Sequence, residues 1–258
     1  MNKSIVIVGS AGVLLDTKLG ELIDTFDEVA RINTWATTGF EDIAGNKTTI
    51  WSMSRPSKSV VLNAQWWTGK RGIPIQKVKD EFSKVDELWC NTYTAKNHIR
   101  LFTPEWHDSR KQAFMRIFKL KNKIIRKMSI EACKQCCKDV GTNTPLGGSI
   151  LIWLLLQTYD KIYICGFDCW QTDTRVHYYD NKKIERIGFQ PDHQEMNYDQ
   201  DYINKHIENG RIILLNKDTK IEKSKLITEV ENYQCQFCGK TSYLYNWETK
   251  FCNYCDEK

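Results

Sequence analysis

The chain has 258 residues, of which 41% are hydrophobic and 27% are charged. This length predicts one sizeable core with a small appendage, and it is too short for two full enzyme domains. The formal net charge of +5 is modest, so charge alone does not indicate a nucleic-acid partner. The longest apolar stretch, 150–156, is too short to span a membrane, and the N-terminus lacks a signal-peptide pattern, which together predict a cytoplasmic protein.

Strand and helix patterns alternate along the first part of the chain. Ile5–Val8 is a continuous apolar run, typical of a strand buried on both faces, and it ends in a glycine-rich turn. A helical pattern follows over 14–23, and further strands are predicted at 29–33, 48–53 and 88–91. This rhythm predicts an α/β fold with a mostly parallel sheet flanked by helices.

The segment 110–138 has a helical apolar period and is strongly basic. Ten basic residues lie in it: Arg110, Lys111, Arg116, Lys119, Lys121, Lys123, Arg126, Lys127, Lys134 and Lys138. We interpret it as a basic helix, whose charged side is either a solvated face or a cationic surface that binds a polyanionic molecule. A nucleic-acid acceptor such as DNA therefore stays open as an alternative.

The second half of the chain continues the alternation. Gly147 and Gly148 precede an apolar helix at 150–156, a buried strand is predicted at 161–167, and a polar loop follows to about Asp192. A helix at 198–208 and a strand at 211–215 complete the pattern. We therefore divide the chain into a main domain at 1–216, a charged linker at 217–231 and a small module at 232–258.

The turn Gly9-Ser10-Ala11-Gly12 is the first candidate site. A glycine-rich turn between a buried strand and a helix lets backbone N–H groups approach a phosphate or a nucleotide. Asn33 stands at the end of the second strand, where its amide offers a donor and an acceptor to a base or ribose. Taken alone, this pattern equally fits an ordinary strand–helix turn.

Longer motifs carry a resemblance to a known family. The stretches 8–15, 20–29, 31–33 and 38–49 resemble the large sialyl motif of the sialyltransferase family. The stretch 144–148, with 160–167 after the apolar helix, resembles the small sialyl motif, although Leu146 and Gly147 replace two hydroxyl residues of that motif. His177-Tyr178-Tyr179 resembles the short His-Tyr-Tyr motif, and His193 stands where a histidine opens the last motif.

The resemblance implies an inverting glycosyltransferase with the sialyltransferase-like variant of the GT-A fold, acting without a catalytic metal. It implies a cytidine monophosphate (CMP) donor carrying a sialic-acid-like sugar and a glycan acceptor. Eukaryotic members of the family carry a membrane anchor and a disulfide between the large and small motifs, and because this sequence shows neither pattern we predict a cytoplasmic bacterial or viral type. The implied catalytic residues are His193 as general base, with His177 and Tyr178 stabilising the departing phosphate. The implied nucleotide-binding residues are Gly9, Ser10, Ala11, Asn33, Gly147 and Gly148.

Two other functions stay open from the residues alone. One is transfer to nucleic acid, such as modified phage DNA, from a different nucleotide-sugar donor. The other is a non-catalytic protein that binds a nucleotide or a partner, because the small motif lacks its hydroxyl residues. Asp199-Gln200-Asp201 also has the pattern of a metal-binding pair, but in a helical stretch it favours a solvated face.

Two Cys-x-x-Cys pairs lie near the end of the chain. Thirteen residues separate Cys235 and Cys238 from Cys252 and Cys255. Four thiolates complete a tetrahedral structural zinc site, and a segment this small would take most of its folding energy from the metal. We therefore predict a C-terminal zinc ribbon with four cysteine ligands, and a pair of disulfides is the disfavoured alternative.

Overall fold

A mixed sheet forms the centre of the fold. The computed structural model describes residues 2–33, 35–53, 80, 84–90, 124–128, 130–168, 177–179, 193–227 and 244–246. Within these ranges the strands are β1 (Ile5–Val8), β2 (Glu28–Ile32), β3 (Ile50–Met53), β4 (Glu87–Cys90), β5 (Ile124–Met128), β6 (Ile162–Cys165), β7 (Ile212–Leu214) and β8 (Leu244–Asn246).

The strand order in the sheet is β7-β6-β1-β2-β3-β4-β5-β8. All neighbouring strands pair in parallel except β5 and β8, which pair antiparallel. The chain runs outward from β1 to β5 on one side and then returns to β6 on the other side of β1. The crevice at the carboxyl ends of β1 and β6 is therefore a topological switch point, where open α/β sheets bind ligands.

Helices cover both faces of the sheet. They are a 3₁₀-helix at Gly12–Asp16, α1 (Gly20–Asp24), α2 (Glu41–Ala44), α3 (Ile130–Val140), α4 (Gly147–Thr158) and α5 (His193–Glu208). None of the helices in the described part of the chain has the length and apolar character that crossing a membrane requires. The predicted α/β fold with a mostly parallel sheet flanked by helices is confirmed.

Alternate residues of β1 enter two different cores. Ile5 and Ile7 pack with the layer of α3, α4 and α5, whereas Val6 and Val8 pack with the layer of α1 and α2. This follows from the two-residue period of a strand, and it explains why β1 is apolar at every position. Helix α4 is buried along 149–156 because it lies between the sheet and its neighbouring helices.

The structure corrects three sequence predictions about secondary structure. Residues 124–128 form strand β5 rather than part of the basic helix, since two β-branched isoleucines here pair with β4. Residues 110–123 of that segment lie outside the described residues. The helix predicted over 198–208 begins earlier, at His193, and the pattern at 14–23 forms a 3₁₀-helix and a short α-helix.

The segment after β7 packs along the main domain over its described part. Ser224 forms an antiparallel bridge with Lys3, and its hydroxyl donates to the carbonyl of Lys161 at 2.6 Å. Leu226 forms a second bridge with Tyr159. Strand β8 belongs to the predicted zinc module, and it extends the sheet by pairing with β5.

Arg31 ties β2 to the turn that follows α2. Its side chain is fully buried and donates to the carbonyls of Ala44 at 2.6 Å and Lys47 at 2.9 Å, and to the hydroxyl of Thr48 at 2.7 Å. These oxygen atoms replace part of the water shell of the buried guanidinium and so offset part of its desolvation cost. The contacts hold the carboxyl end of β2 in place, one residue before the candidate site begins.

We expect Arg31→Met to lower the free energy of unfolding by about 2–4 kcal/mol, because the buried carbonyls lose their charged donor. The matched control is Lys3→Met, which breaks a partly exposed pair with Glu28 at 2.6 Å. That control should change the free energy by less than about 1 kcal/mol. Urea denaturation measures both values, and equal effects would contradict the anchoring role of Arg31.

Candidate nucleotide-binding site

A cavity of about 240 Å³ opens at the switch point of the sheet. Its walls come from the turn after β1, the end of β2, the start of α4, the turn after β6, and single residues of the His-Tyr-Tyr segment and of α5. The predicted residues that line it are Gly9, Ser10, Ala11, Asn33, Gly147, Gly148 and His177. The fold thus brings together seven predicted site residues that are far apart in the sequence.

The glycine-rich turn packs directly against the turn after β6. A Cβ atom on Gly9 would lie 2.2 Å from the carbonyl oxygen of Gly166, so only glycine fits here. The N–H groups of Gly9 and Ala11 donate to the carbonyls of Cys165 and Gly166, at 2.8 and 3.0 Å. These two N–H groups are therefore engaged within the protein, and the turn offers a ligand chiefly the N–H and hydroxyl of Ser10.

Asn33 presents its side chain at the opposite wall. Its backbone has φ of +50°, its N–H donates to Ser52 at 2.7 Å, and its carbonyl accepts from the indole of Trp51 at 2.6 Å. A left-handed backbone at a residue other than glycine is uncommon and marks turns and functional sites. Because its backbone is fixed in this way, the exposed amide is held beside the start of α4.

Helix α4 points its N-terminus into the cavity. Gly148 lies so close to Phe167 that an added Cβ atom would approach the ring to 2.8 Å, whereas at Gly147 the nearest atom would be 3.4 Å away. Gly148 thus permits close packing between α4 and the turn after β6. The first N–H groups of a helix have no carbonyl partner within it, so they form a site for an anion.

Asp199 fixes the residue that precedes α4. Its side chain is 1% exposed, and one carboxylate oxygen accepts the N–H of Leu146 at 3.0 Å. The sequence favoured a solvated helix face for Asp199 and Asp201, and this is wrong for Asp199, whereas Asp201 is exposed. The two carboxylates lie in different environments, and Asp199 joins α5 to the start of α4.

The three residues of the His-Tyr-Tyr segment take separate roles. His177 lines the cavity and its ring stacks on that of Tyr179, with centroids 5.0 Å apart. Tyr178 is fully buried, its N–H donates to the carbonyl of Ser10 at 2.9 Å, and its hydroxyl donates to the carbonyl of Ala36 at 2.5 Å. The structure therefore directs the Tyr178 hydroxyl away from the cavity, contrary to the contact with a leaving phosphate predicted for it.

His193 is the first residue of α5. Its side chain lies outside the described part of the structure, so its role as general base stays a prediction. The same helix reaches the cavity through Ile203 and reaches the start of α4 through Asp199. Helix α5 thus borders the site that the predicted base would serve.

Several cavity residues escaped the sequence analysis. Ser149, Phe167 and Asp168 line the cavity, and Asp168 is half-buried. Phe167 and Asp168 follow a buried parallel strand, and this position at a carboxyl end was the signal that could have found them. Ser149 gave no such signal, because it lies within an apolar helix pattern.

Two groups of cysteines lie close together in the sequence, one on α3 and one near the end of the chain. Cys133 and Cys136 are buried free thiols on α3, and Cys137 is a half-buried free thiol on the same helix. Burial raises the pKa of the Cys136 thiol far above its usual range, so it stays protonated. The four predicted zinc ligands, Cys235, Cys238, Cys252 and Cys255, lie outside the described residues.

The fold and the cavity together define an α/β protein with a cavity at the switch point of a mostly parallel sheet. The sequence model of glycosyltransferase family 29, the sialyltransferases, matches residues 2–209. The chain therefore belongs to this family, and the resemblance found in its motifs is confirmed.

Named relatives agree with this assignment. The lactosylceramide alpha-2,3-sialyltransferase of Homo sapiens is 26% identical over 200 residues, which cover 73% of this chain and 46% of that protein. The CMP-N-acetylneuraminate-beta-1,4-galactoside alpha-2,3-sialyltransferase of Homo sapiens is 26% identical over 200 residues, which cover 70% and 49%. The chain spans about half the length of the curated relatives it matches.

Solved structures show the same fold. A crystal structure of a mammalian sialyltransferase aligns with a TM-score of 0.52 and 16% identity, over 83% of this chain and 69% of that chain. A mammalian sialyltransferase in complex with Gal-beta-1-3GalNAc-ortho-nitrophenol aligns with a TM-score of 0.51 and 19% identity, over 83% and 70%.

We expect Gly148→Ala to lower the free energy of unfolding by about 1–3 kcal/mol, because the new methyl group overlaps the ring of Phe167. Gly147→Ala is the matched control in the same helical turn, where the methyl group meets only ordinary contacts. It should change the free energy by less than about 1 kcal/mol, since alanine favours a helix. Chemical denaturation compares them, and a harmless Gly148→Ala would argue against close packing at this point.

Proposed function

We propose that this chain transfers a sialic-acid-like sugar from a CMP donor to a hydroxyl group of a glycan, with inversion at the anomeric carbon. Its family membership supports the transferase class. The observation that carries the proposal is the cavity at the switch point, where the start of α4 meets the ends of β1 and β2. Such a position favours a nucleotide.

The charges around the cavity favour a donor with a single phosphate. None of the described residues that line it is Lys or Arg, and one of them, Asp168, is an acid. The start of α4 offers partial positive charge for one phosphate group. The described walls thus offer one site for a phosphate group, which suits a nucleoside monophosphate donor.

The proposed reaction is a single displacement. The acceptor oxygen attacks the anomeric carbon while the bond between that carbon and the phosphate oxygen breaks. A ring nitrogen of His193 accepts the proton of the attacking hydroxyl. This step needs a base that is neutral near physiological pH, as an imidazole is. The electron pair of the broken bond leaves on the phosphate as CMP.

His177 supports the departing phosphate in this proposal. The leaving group gains negative charge in the transition state, and a hydrogen-bond donor placed there lowers the barrier. The ring of His177 lines the cavity and is held by its stack on Tyr179. Tyr178 acts as a positioning residue, because its bonds to Ser10 and Ala36 fix the segment that carries His177.

A galactose-ended glycan is the proposed acceptor. The names of two relatives state lactosylceramide and beta-1,4-galactoside as their acceptors. The identity to each is 26%, so the proposal extends to the class of acceptor and not to a particular glycan. The cytoplasmic location and the bacterial or viral type stay predictions from the sequence.

We expect the wild-type chain to transfer sialic acid from CMP-sialic acid to lactose without added Mg²⁺ or Mn²⁺. His193→Ala should lower kcat by roughly 10²–10⁴-fold, since general-base catalysis contributes about this much. Radiolabelled transfer and product linkage analysis measure the reaction.

The matched control is His206→Ala on the same helix. The ring of His206 packs on Tyr202, with centroids 4.6 Å apart, and it does not line the cavity. His206→Ala should leave kcat within about 3-fold of the wild-type value, because substitutions away from the site have small effects. Full activity of His193→Ala, or no transfer by the wild-type chain, would overturn the proposed function.

We also propose that Cys235, Cys238, Cys252 and Cys255 bind one structural Zn²⁺. Five residues separate each cysteine pair from β8, which lies midway between the pairs. Strand β8 pairs with β5 at the edge of the sheet. A metal that joins the two pairs would close the chain around β8 and hold it against this edge.

We expect the purified chain to contain one zinc ion per molecule, and Cys238→Ser to lose it and to melt at a lower temperature. Cys137→Ser is the matched control, because this half-buried thiol lies on α3 outside the two pairs. Elemental analysis and thermal denaturation measure both effects. Retention of zinc by Cys238→Ser would refute the four-cysteine site.

A further inference from the structure

A largely buried serine lies at the N-terminus of α4. Ser149 is the third residue of this helix, it is 2% exposed, and it lines the cavity. Its hydroxyl forms no hydrogen bond within the described part of the chain. Its oxygen atom is not among the fully enclosed polar atoms that lack a partner, so the hydroxyl is open to the cavity, where a ligand can accept its hydrogen bond.

Backbone N–H groups beside Ser149 also lack a hydrogen-bond partner within the helix. Helix α4 has 12 residues, and its first recorded bond joins the N–H of Ile150 to the carbonyl of Leu146 at 3.0 Å. The N–H groups of Gly147, Gly148 and Ser149 come before this bond and have no carbonyl partner in the helix. They and the Ser149 hydroxyl form a set of donors at one end of the helix.

Asp199 limits where an anion can bind at this helix end. Its carboxylate accepts the N–H of Leu146, the residue that precedes the helix. An anionic ligand is thereby directed away from Leu146 and toward the next three N–H groups, on the side of Ser149. The hydroxyl adds a donor there, and no cationic side chain lines the described walls of the cavity.

We propose that Ser149 donates its hydroxyl to the phosphate group of the nucleotide donor and makes the site selective for the phosphorylated ligand. This inference rests on the proposed function, because it takes the ligand to be a nucleoside monophosphate. Positions 146 and 147 are Leu and Gly, so Ser149 carries the hydroxyl side chain of the first turn of α4. Ser149 therefore determines specificity, whereas Asp199 positions the helix end.

The experiment compares the affinities for CMP and for cytidine by isothermal titration calorimetry. Ser149→Ala should weaken the binding of CMP by about 10-fold or more, which is the loss of one hydrogen bond to a charged group. The binding of cytidine should stay unchanged, because cytidine has no phosphate. Ser149→Thr keeps a hydroxyl group, and it should retain the wild-type ratio of the two affinities within about 3-fold.

The control variant is Ser224→Ala. Ser224 is also a buried serine, but its hydroxyl donates to the carbonyl of Lys161 away from the cavity. This variant should lose stability and leave the ratio of affinities unchanged. An unchanged ratio in Ser149→Ala, or an equal loss for CMP and cytidine, would overturn the inference while the proposed function stands.

The same titrations with uridine, adenosine and guanosine, each against its monophosphate, separate the two proposals. A wild-type chain that binds another monophosphate instead of CMP contradicts the CMP donor. If Ser149→Ala then lowers the affinity for that monophosphate relative to its nucleoside, the contact between Ser149 and the phosphate is still supported. A wild-type chain that binds none of these nucleotides overturns both proposals.

Discussion

The site depends on the close approach of three turns at the carboxyl ends of β1, β2 and β6. Gly9 touches the carbonyl of Gly166, and Gly148 touches the ring of Phe167, at separations that a further carbon atom would not allow. Gly9 thus brings the turn after β1 against the turn after β6, and Gly148 brings the start of α4 against that same turn. The cavity at the switch point exists because the helix end and the strand ends meet there.

The close approach of these turns also decides which hydrogen-bond donors are available to a ligand. The turn after β1 engages two of its N–H groups with carbonyls of the β6 turn, and Asp199 takes the N–H of Leu146. The remaining donors are grouped at the start of α4, at Ser10 and at the amide of Asn33. Neutral donors and a helix dipole thus face the ligand, and a charged cluster does not form the described walls.

The His-Tyr-Tyr segment illustrates how one motif divides its work. Two of its aromatic rings are buried, and Tyr178 attaches the segment to the turn after β1 through its N–H and to Ala36 through its hydroxyl. His177 is held at the cavity by these neighbours. Both His177 and Tyr178 were predicted to contact the phosphate, whereas the structure has one residue of the motif at the cavity and two that support it.

Local patterns determined much of this fold from the sequence alone. The apolar run of β1, the glycine turn and the apolar helix α4 were all evident, because strand and helix periods are properties of neighbouring residues. The pattern over 110–138 was less informative. Its residues 124–128 became β5, since pairing with β4 overrode a helical period.

Tertiary contacts alone decided which side chains face the cavity. The Tyr178 hydroxyl donates a hydrogen bond to the carbonyl of Ala36, 142 residues away in the chain. The buried carboxylate of Asp199 accepts a hydrogen bond from the N–H of Leu146, 53 residues away. Ser149 became a candidate ligand contact only when α4 met the sheet. The sequence specified which residue types were present and which elements they formed, whereas the choice among them depended on hydrogen bonds between distant segments, which no local pattern records.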